Sequence, residues 1–298
     1  MTRLADLALT ALAPLVWGST YIVTTELLPG WHPLMVAMLR ALPAGILLLL
    51  IVGRLPKGVW RGRAFVLGAL NFSIFWALLF VAAYRLPGGV AATVGAIQPL
   101  IVLLLSRLLL GTPILAVSVI CAVAGMAGVA LMVLDPAAGL DTIGILAALG
   151  SAVSMAFGTV LTRKWQPDVP ALTVTAWQLA AGGILLLPAA LLLAPVPSAV
   201  GLGNLAALLW LGLAGAALTY LVWFRGIARL GPTIVAPLGL LSPASAIVLG
   251  WAGLGQALSP LQIAGIALVV GSILAGEAAH RSASGADEAS RVRHRPAR

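Results

Sequence analysis

The chain has 298 residues, of which 61% are hydrophobic and 8% charged, and its mean hydropathy is +1.11. These values exclude a soluble globular domain and predict an integral membrane protein. The net charge of +9 comes from short connections and a C-terminal tail rather than from one helical face, so it indicates membrane topology and not nucleic-acid binding.

Ten hydrophobic runs follow one another along the chain, each close to the ~20 residues that a helix needs to cross a bilayer. They predict an all-α membrane protein with ten transmembrane helices, at 4–25, 33–52, 64–83, 88–110, 113–134, 142–162, 171–193, 202–223, 232–251 and 259–276. The first run reaches spanning length and lacks a small-residue cleavage site after a short apolar core, so we interpret it as a helix and not a removed signal.

Basic residues are concentrated in alternate connections. That set contains Arg54, Lys57, Arg61, Arg63, Arg107, Arg163, Lys164, Arg225 and Arg229. The other set has only Arg85 among its basic residues. Because cytoplasmic loops collect Lys and Arg, we expect both termini to be cytoplasmic and the protein to lie in a bacterial inner membrane. The polar tail, 279–298, is expected to be disordered.

One segment of the chain is repeated. RLPGGVAATVGAIQPLIVLLLSRLLLGT, at 85–112, aligns without a gap on RLGPTIVAPLGLLSPASAIVLGWAGLGQ, at 229–256. The correspondence extends to other segments, such as WGST at 17–20 and FGTV at 157–160. The repeating unit is therefore five spans, in domains 1–137 and 138–278. An odd number of spans predicts two inverted repeats, an architecture of secondary transporters.

Glycine and proline interrupt the fourth and ninth spans at matching places. Pro99 and Pro243 have no N–H to bond the carbonyls of Gly95 and Gly239, four residues earlier. These four residues are predicted hinges, because paired interruptions in two halves indicate a transport site. The alternative is that Gly and Pro kink membrane helices without functional consequence.

Three segments carry a resemblance to a known family: WGST, the arginine in MLRALPAGILLLL, and AAYRLPGGVAATVGAIQPLIVLLLS with its second copy. On these segments the chain, up to about Gly276, resembles the EamA-domain branch of the drug/metabolite transporter superfamily, and its general shape is similar to the YddG-type amino acid exporters. The resemblance implies a central cavity lined by spans 1, 3, 4, 6, 8 and 9. In one departure, Thr112 and Gln256 stand where EamA repeats commonly carry glutamate, so no role of that glutamate is carried over.

Candidate substrate-binding residues are the polar and aromatic groups near mid-depth of those six spans, since polar side chains in lipid usually face an interior. They are Trp17, Ser19, Tyr21, Asn71, Trp76, Phe80, Thr93, Gln98, Phe157, Thr159, Tyr220, Trp223, Ser242 and Ser245. The aromatic members are interpreted as a stacking wall, the alternative being plain packing or an aromatic belt. Arg40, a lone charge in the second span, could bind a carboxylate. We favour a structural role for it, because that helix is peripheral in the family.

The functional prediction is a secondary transporter that exports small metabolites, above all amino acids including aromatic and apolar ones, by alternating access. A monomer is expected. No enzymatic activity, cofactor or metal is expected, because no catalytic, phosphate-binding or zinc motif occurs. The acidic residues Asp6, Glu26, Asp135, Asp141 and Glu277 lie near span ends, which predicts transport without a buried-carboxylate proton site. Two alternatives stay open: a proton-coupled exporter of cationic drugs, and a non-transporting protein such as a scramblase.

Overall fold

The computed structural model describes residues 2–86, 88–133, 141–195, 197 and 199–293, without the side chains of 80, 83–84, 88–89 and 282–293. Regular structure in these residues is helical throughout. The α-helices are Arg3–Leu27, Pro33–Val52, Val59–Gly68, Ile74–Arg85, Gly88–Gly95, Gln98–Leu110, Ala116–Val133, Thr142–Lys164, Ala171–Leu193, Leu202–Leu209, Thr219–Leu230, Pro232–Leu238, Leu241–Leu254 and Pro260–Arg293. Asp135 lies outside the described residues.

Ten helices in the described ranges are long and apolar enough to cross a membrane, which confirms the predicted ten-helix all-α membrane protein. We number them as spans 1 to 10: Arg3–Leu27, Pro33–Val52, Val59–Leu79, Val90–Leu110, Ala116–Val133, Thr142–Lys164, Ala171–Leu193, Leu202–Leu230, Pro232–Leu254 and Pro260–Arg281. Local chemistry sets their starts. Asp141, for example, caps span 6 by accepting a hydrogen bond of 2.6 Å from the Gly144 amide.

The last helix continues well beyond the predicted end of span 10, as far as Arg293. The segment 277–293 is rich in Ala, Ser and Arg and contains no proline, so no residue in it lacks the backbone N–H that a helix requires. Arg281 also donates to the Glu277 carboxylate one turn earlier, at 3.1 Å. Within the described residues, the segment predicted as a disordered tail is therefore largely helical.

Spans 3 and 8 both contain a π-helical segment, Ala69–Ser73 and Trp210–Leu218. The gap-free alignment of the repeated segment shifts residue numbers by 144, and the same shift carries the first π segment into the second. π-helical turns leave backbone carbonyls free for other partners and are frequent at functional sites. The matching irregularities show that the two halves share local structure as well as sequence.

Spans 4 and 9 are each two helices separated by a short break. The break in span 4 lies between Gly95 and Gln98, and that in span 9 between Leu238 and Leu241. Both spans then end at a glycine in the left-handed conformation, Gly111 at φ 72° and Gly255 at φ 66°, which residues with a side chain rarely adopt. Under the repeat shift of 144 the two ends coincide and the two breaks lie within one residue of each other.

The main packing contacts follow the five-span repeat: adding five to the number of each span in a contact, and counting on from 1 after 10, gives an observed contact. Span 2 packs on span 7, span 5 on span 10, and span 4 on span 9. Span 1 packs on spans 8 and 9, just as span 6 packs on spans 3 and 4. This correspondence brings spans 1, 3, 4, 8 and 9 together in the interior, where the candidate site lies.

Candidate functional site

Six aromatic side chains from spans 1, 3 and 8 form one contiguous group, which we call the aromatic cluster: Trp17, Phe72, Trp76, Tyr220, Trp223 and Phe224. Tyr220 is central, with ring centroids 4.5 Å from Phe72, 4.9 Å from Trp17 and 6.4 Å from Trp76. Trp223 lies 5.0 Å from Trp17, and the ring geometries are tilted or edge-on, as aromatic pairs prefer. The cluster joins the two halves of the chain.

Two of the three cluster tryptophans, Trp17 and Trp223, differ in the hydrogen-bond partners of their indole N–H groups. Trp17 Nε1 donates to Thr219 Oγ1 at 2.9 Å and thereby joins span 1 to span 8. Trp223 is only 1% exposed, yet its Nε1 has no hydrogen-bond partner. A buried N–H without an acceptor costs about 1–3 kcal/mol, so this donor is suited to an acceptor on a ligand.

Gln98 and the break of span 9 lie beside the cluster. A Cβ placed on Gly239 would lie 3.9 Å from Trp223 Cη2 and 4.0 Å from Gln98 Oε1. Gln98 Nε2 is buried without a hydrogen-bond partner. The first residue after the break in span 4 and the break in span 9 therefore meet at the edge of the aromatic cluster.

Arg40 of span 2 is buried and contacts the cluster from another side. Its guanidinium carbon lies 4.7 Å from the centre of the Trp76 ring, within the range of a cation–π interaction. Its Nη2 donates to the Gly215 carbonyl at 2.7 Å, in the π-helical segment of span 8. The packing therefore gives Arg40 a structural contact, as favoured from the sequence, and also places its charge at the candidate site.

Several predicted site residues form hydrogen bonds with other residues of the protein. Asn71 donates to Gln178 at 2.7 Å and to Thr162 at 3.3 Å, so it joins spans 3, 6 and 7. Ser19 accepts from Trp210 Nε1 at 2.9 Å, and Ser245 donates to the Leu15 carbonyl at 2.7 Å. These bonds connect neighbouring helices, and they occupy groups that were candidates for substrate contact.

The remaining predicted residues are scattered. Tyr21 is 57% exposed and Phe157 is 36% exposed, so neither joins the cluster. Thr159 is fully buried, and its hydroxyl has no hydrogen-bond partner. Thr93 and Ser242 are partly buried in spans 4 and 9, and the side chain of Phe80 is outside the described residues.

Sequence reasoning missed Phe72 and Phe224 as members of the cluster and favoured a structural role for Arg40. A signal existed for the two phenylalanines. Phe72 precedes Trp76 by four residues and Phe224 follows Tyr220 by four, a spacing that puts side chains on one helical face. The location of Arg40 depends on packing between spans 2, 3 and 8, for which the sequence carried no local signal.

Charged residues lie at the two ends of the bundle. Asp6, in the first turn of span 1, accepts from Arg225 at 2.7 Å and pairs with Arg229 at 3.2 Å. Arg85 and Asp141, the N-cap of span 6, form a looser and more exposed pair of 3.6 Å. Arg85 and Arg229 correspond in the repeat, so the two ends carry related ion pairs.

Glu277 forms a second buried ion-pair group, with Arg3 at 2.9 Å and Arg281 at 3.1 Å. It borders a small crevice that is lined by residues of spans 1, 4, 5, 9 and 10. Asp6 and Glu277 thus lie at span ends as predicted, but both are buried, which the sequence did not indicate. In the described part of the chain no three His, Cys, Asp or Glu side chains converge on a metal-sized site.

Ten spans, repeat-related helix breaks and an interior cluster of aromatic and polar groups together define a membrane protein of the secondary-transporter class. A family model, the EamA-like transporter family, matches two stretches, 5–134 and 142–275. The chain therefore belongs to the EamA family, within the drug/metabolite transporter superfamily. It is a membrane transporter and not an enzyme, and the scramblase alternative is set aside.

Individual relatives agree with this family. The chain is 47% identical to Protein PecM of Dickeya dadantii (strain 3937) over 88% of this chain and 89% of the relative. It is 24% identical to the probable terminal-alkyne amino-acid exporter of Streptantibioticus cattleyicolor, over 88% and 90% of the two chains. A solved crystal structure of 22% identity covers 93% of this chain and 99% of that chain at a TM-score of 0.78, which shows a common fold. The similarity to the YddG type stays a prediction.

Proposed function

We propose that this transporter is a monomer of the bacterial inner membrane, with cytoplasmic termini, that exports small zwitterionic metabolites, above all amino acids with aromatic or large apolar side chains. The single observation that carries the proposal is the pair of helix breaks in spans 4 and 9 beside the aromatic cluster. Broken helices at corresponding positions of two repeats are typical of substrate sites in secondary transporters.

The breaks are suited to bending because their backbone bonding is locally rearranged. The Ile97 amide donates to the Val94 carbonyl, and the Leu240 amide donates to the Pro237 carbonyl, both three residues back. Pro99 and Pro243 follow within three residues and have no N–H to donate in the helical pattern. We take the hinges to be Gly95 with Pro99 and Gly239 with Pro243, about which the third-fourth and eighth-ninth span pairs rock.

The ion pairs at the two ends support alternating access between inverted repeats. Arg229 and Asp6 join spans 8 and 1 at one end, and Arg85, the repeat counterpart of Arg229, joins span 3 to Asp141 at the start of span 6 at the other end. Under inversion, the tighter pair closes the cytoplasmic side, and the looser pair tightens when the outer side closes. The two pairs then exchange roles during each transport cycle.

The aromatic cluster and Gln98 support the choice of substrate. Rings that pack at 4.5–6.4 Å from one another offer an apolar surface to an aromatic side chain. The amide of Gln98 and the indole N–H of Trp223 are suited to the polar end of a zwitterion. The named amino-acid exporter among the relatives is consistent with this class.

We propose transport without an obligatory proton step, because the two buried carboxylates that the structure describes, Asp6 and Glu277, are each balanced by two arginines. The competing function is proton-coupled export of cationic drugs through cation–π contacts. The positive charge of Arg40 at 4.7 Å from Trp76 disfavours a second cation in the same cluster.

The test is uptake of labelled phenylalanine, methionine and threonine into liposomes that contain the purified protein, with and without an imposed pH gradient. Saturable uptake without a gradient supports the proposal. Uptake that requires the gradient and disappears in one acidic-residue variant refutes the uncoupled mechanism. Failure of all three amino acids, together with saturable transport of an organic cation, supports drug export instead.

A further inference from the structure

The guanidinium of Arg40 is the least compensated charge in the interior of the described structure. Arg40 is the eighth residue of span 2, about 10 Å from the start of that helix at 1.5 Å per residue. Its exposed fraction is 8%. The ion pairs of the described residues use other arginines, namely Arg3, Arg85, Arg225, Arg229 and Arg281. Arg40 thus has no described carboxylate partner.

The contacts of Arg40 leave part of its hydrogen-bonding capacity unused. A guanidinium has five N–H donors, and the contacts described are one hydrogen bond, to the Gly215 carbonyl, and the face of the Trp76 ring. Its Nε is buried and has no hydrogen-bond partner. A lone charge inside a membrane is costly, and such residues commonly mark substrate pathways.

Two other buried donors without partners lie at the same cluster, Gln98 Nε2 and Trp223 Nε1. The unpartnered groups at the aromatic cluster are thus nitrogen donors, as a ligand with acceptor oxygens requires. Arginine binds carboxylates with two parallel hydrogen bonds. The Arg40 guanidinium carbon lies over the Trp76 ring, 4.7 Å from its centre. Tyr220, 6.4 Å from Trp76, continues the apolar surface.

We propose that Arg40 binds the carboxylate of the transported molecule while Trp76 and Tyr220 hold its apolar part. The substrate class is therefore a monocarboxylate with an aromatic or large apolar group. This inference deepens the proposed function and rests on it for the identity of the transported amino acids. It also assigns to span 2, peripheral in the sequence-based interpretation, a direct part in recognition.

The experiment compares three labelled probes in proteoliposomes. The first is phenylalanine, the second is phenylalanine amide, in which a neutral carboxamide replaces the carboxylate, and the third is phenylacetate, which has no ammonium group. Arg40→Gln is expected to lower kcat/KM for phenylalanine about 10- to 100-fold while phenylalanine amide changes by about 2-fold or less. Arg40→Lys keeps the charge but loses the planar fork, and is expected to be intermediate.

Arg63→Gln is the matched control, because Arg63 also stacks on a tryptophan, at 5.5 Å from Trp60, but lies near the start of span 3. It is expected to leave the acid-to-amide ratio unchanged. The folding of each variant is checked by gel filtration and thermal melting in detergent. If Arg40→Gln does not fold, the assignment of Arg40 is tested by the acid-to-amide ratio of kcat/KM in Arg40→Lys.

The outcomes separate the two proposals. The assignment of Arg40 is overturned if the wild type transports phenylalanine and its amide equally, or if Arg40→Gln does not change the ratio of the two rates. Amino acid transport stands in either case. If the protein transports phenylacetate but not phenylalanine, and Arg40→Gln abolishes that transport, the amino acid proposal is overturned and the role of Arg40 in carboxylate binding is supported. Failure of both carboxylates overturns the two together.

Discussion

The close contact between spans 2 and 7 leads to a prediction for Gly45→Ala. A Cβ on Gly45 would lie 2.4 Å from the Ala180 amide nitrogen and 2.6 Å from the Ala180 Cα. Ordinary contacts are ~3.5–4.0 Å, so the two helices must separate by roughly 1 Å. The obstacle is backbone, which cannot turn aside as a flexible side chain can. Small residues at helix interfaces permit such approach in membranes.

The expected magnitude follows from two opposing terms. Alanine is favoured over glycine inside a helix by about 1 kcal/mol. Overpacking costs typically ~1–3 kcal/mol, and the rigid obstacle puts Gly45→Ala towards the upper end of that range. The net loss of stability is about 1–2 kcal/mol, or roughly 2–8 °C in Tm by the scaling for soluble domains.

The assay is thermal unfolding in detergent, followed by tryptophan fluorescence. Gly62→Ala is the matched control, because Gly62 is an exposed helical glycine and a Cβ there meets nothing within 4 Å. Its Tm should rise slightly or stay constant. A Gly45→Ala protein that melts at or above the Gly62→Ala protein would refute the reasoning.

Three further predictions concern the site. Replacing Gly95 and Gly239 together by Leu should slow turnover while substrate affinity changes less, because the breaks then bend less readily; an unaltered transport rate removes the hinge assignment. Trp17→Phe should lose the hydrogen bond to Thr219, and a double-mutant cycle with Thr219→Val should give a coupling of about 0.5–1.5 kcal/mol in unfolding measurements, no coupling being the contrary result. Asn71→Leu should lower stability by about 1–3 kcal/mol, since its buried partners in spans 6 and 7 lose their hydrogen bonds, and an unchanged Tm would contradict that network.

The fold could largely be predicted from the sequence. Long apolar runs can only satisfy their backbone groups in lipid as helices, so composition and run length alone gave ten spans. The repeat was readable because the two copies keep a constant spacing. The helix breaks lie within the stretch from glycine to proline of each copy, 95–99 and 239–243. The extension of the last helix to Arg293 was missed, because polarity was taken as a sign of disorder.

The membership of the candidate site was decided by the tertiary structure. Trp76, Tyr220 and Trp223 were predicted from their type and depth, but the same criteria selected Tyr21, which is exposed, and Asn71, which bonds to Gln178. Type and depth do not fix the direction in which a helix face points. That direction depends on how the spans pack on one another.

The sequence by itself therefore determined the class of the protein, its ten spans and its internal repeat, because these follow from hydrophobicity and from local backbone chemistry. The tertiary structure alone decided which side chains meet. Arg40 lies beside Trp76 because spans 2, 3 and 8 pack closely there, and Asp6 meets Arg225 because span 1 lies against span 8. These contacts join residues far apart in the chain, and packing between helices, which no local pattern encodes, brings them together.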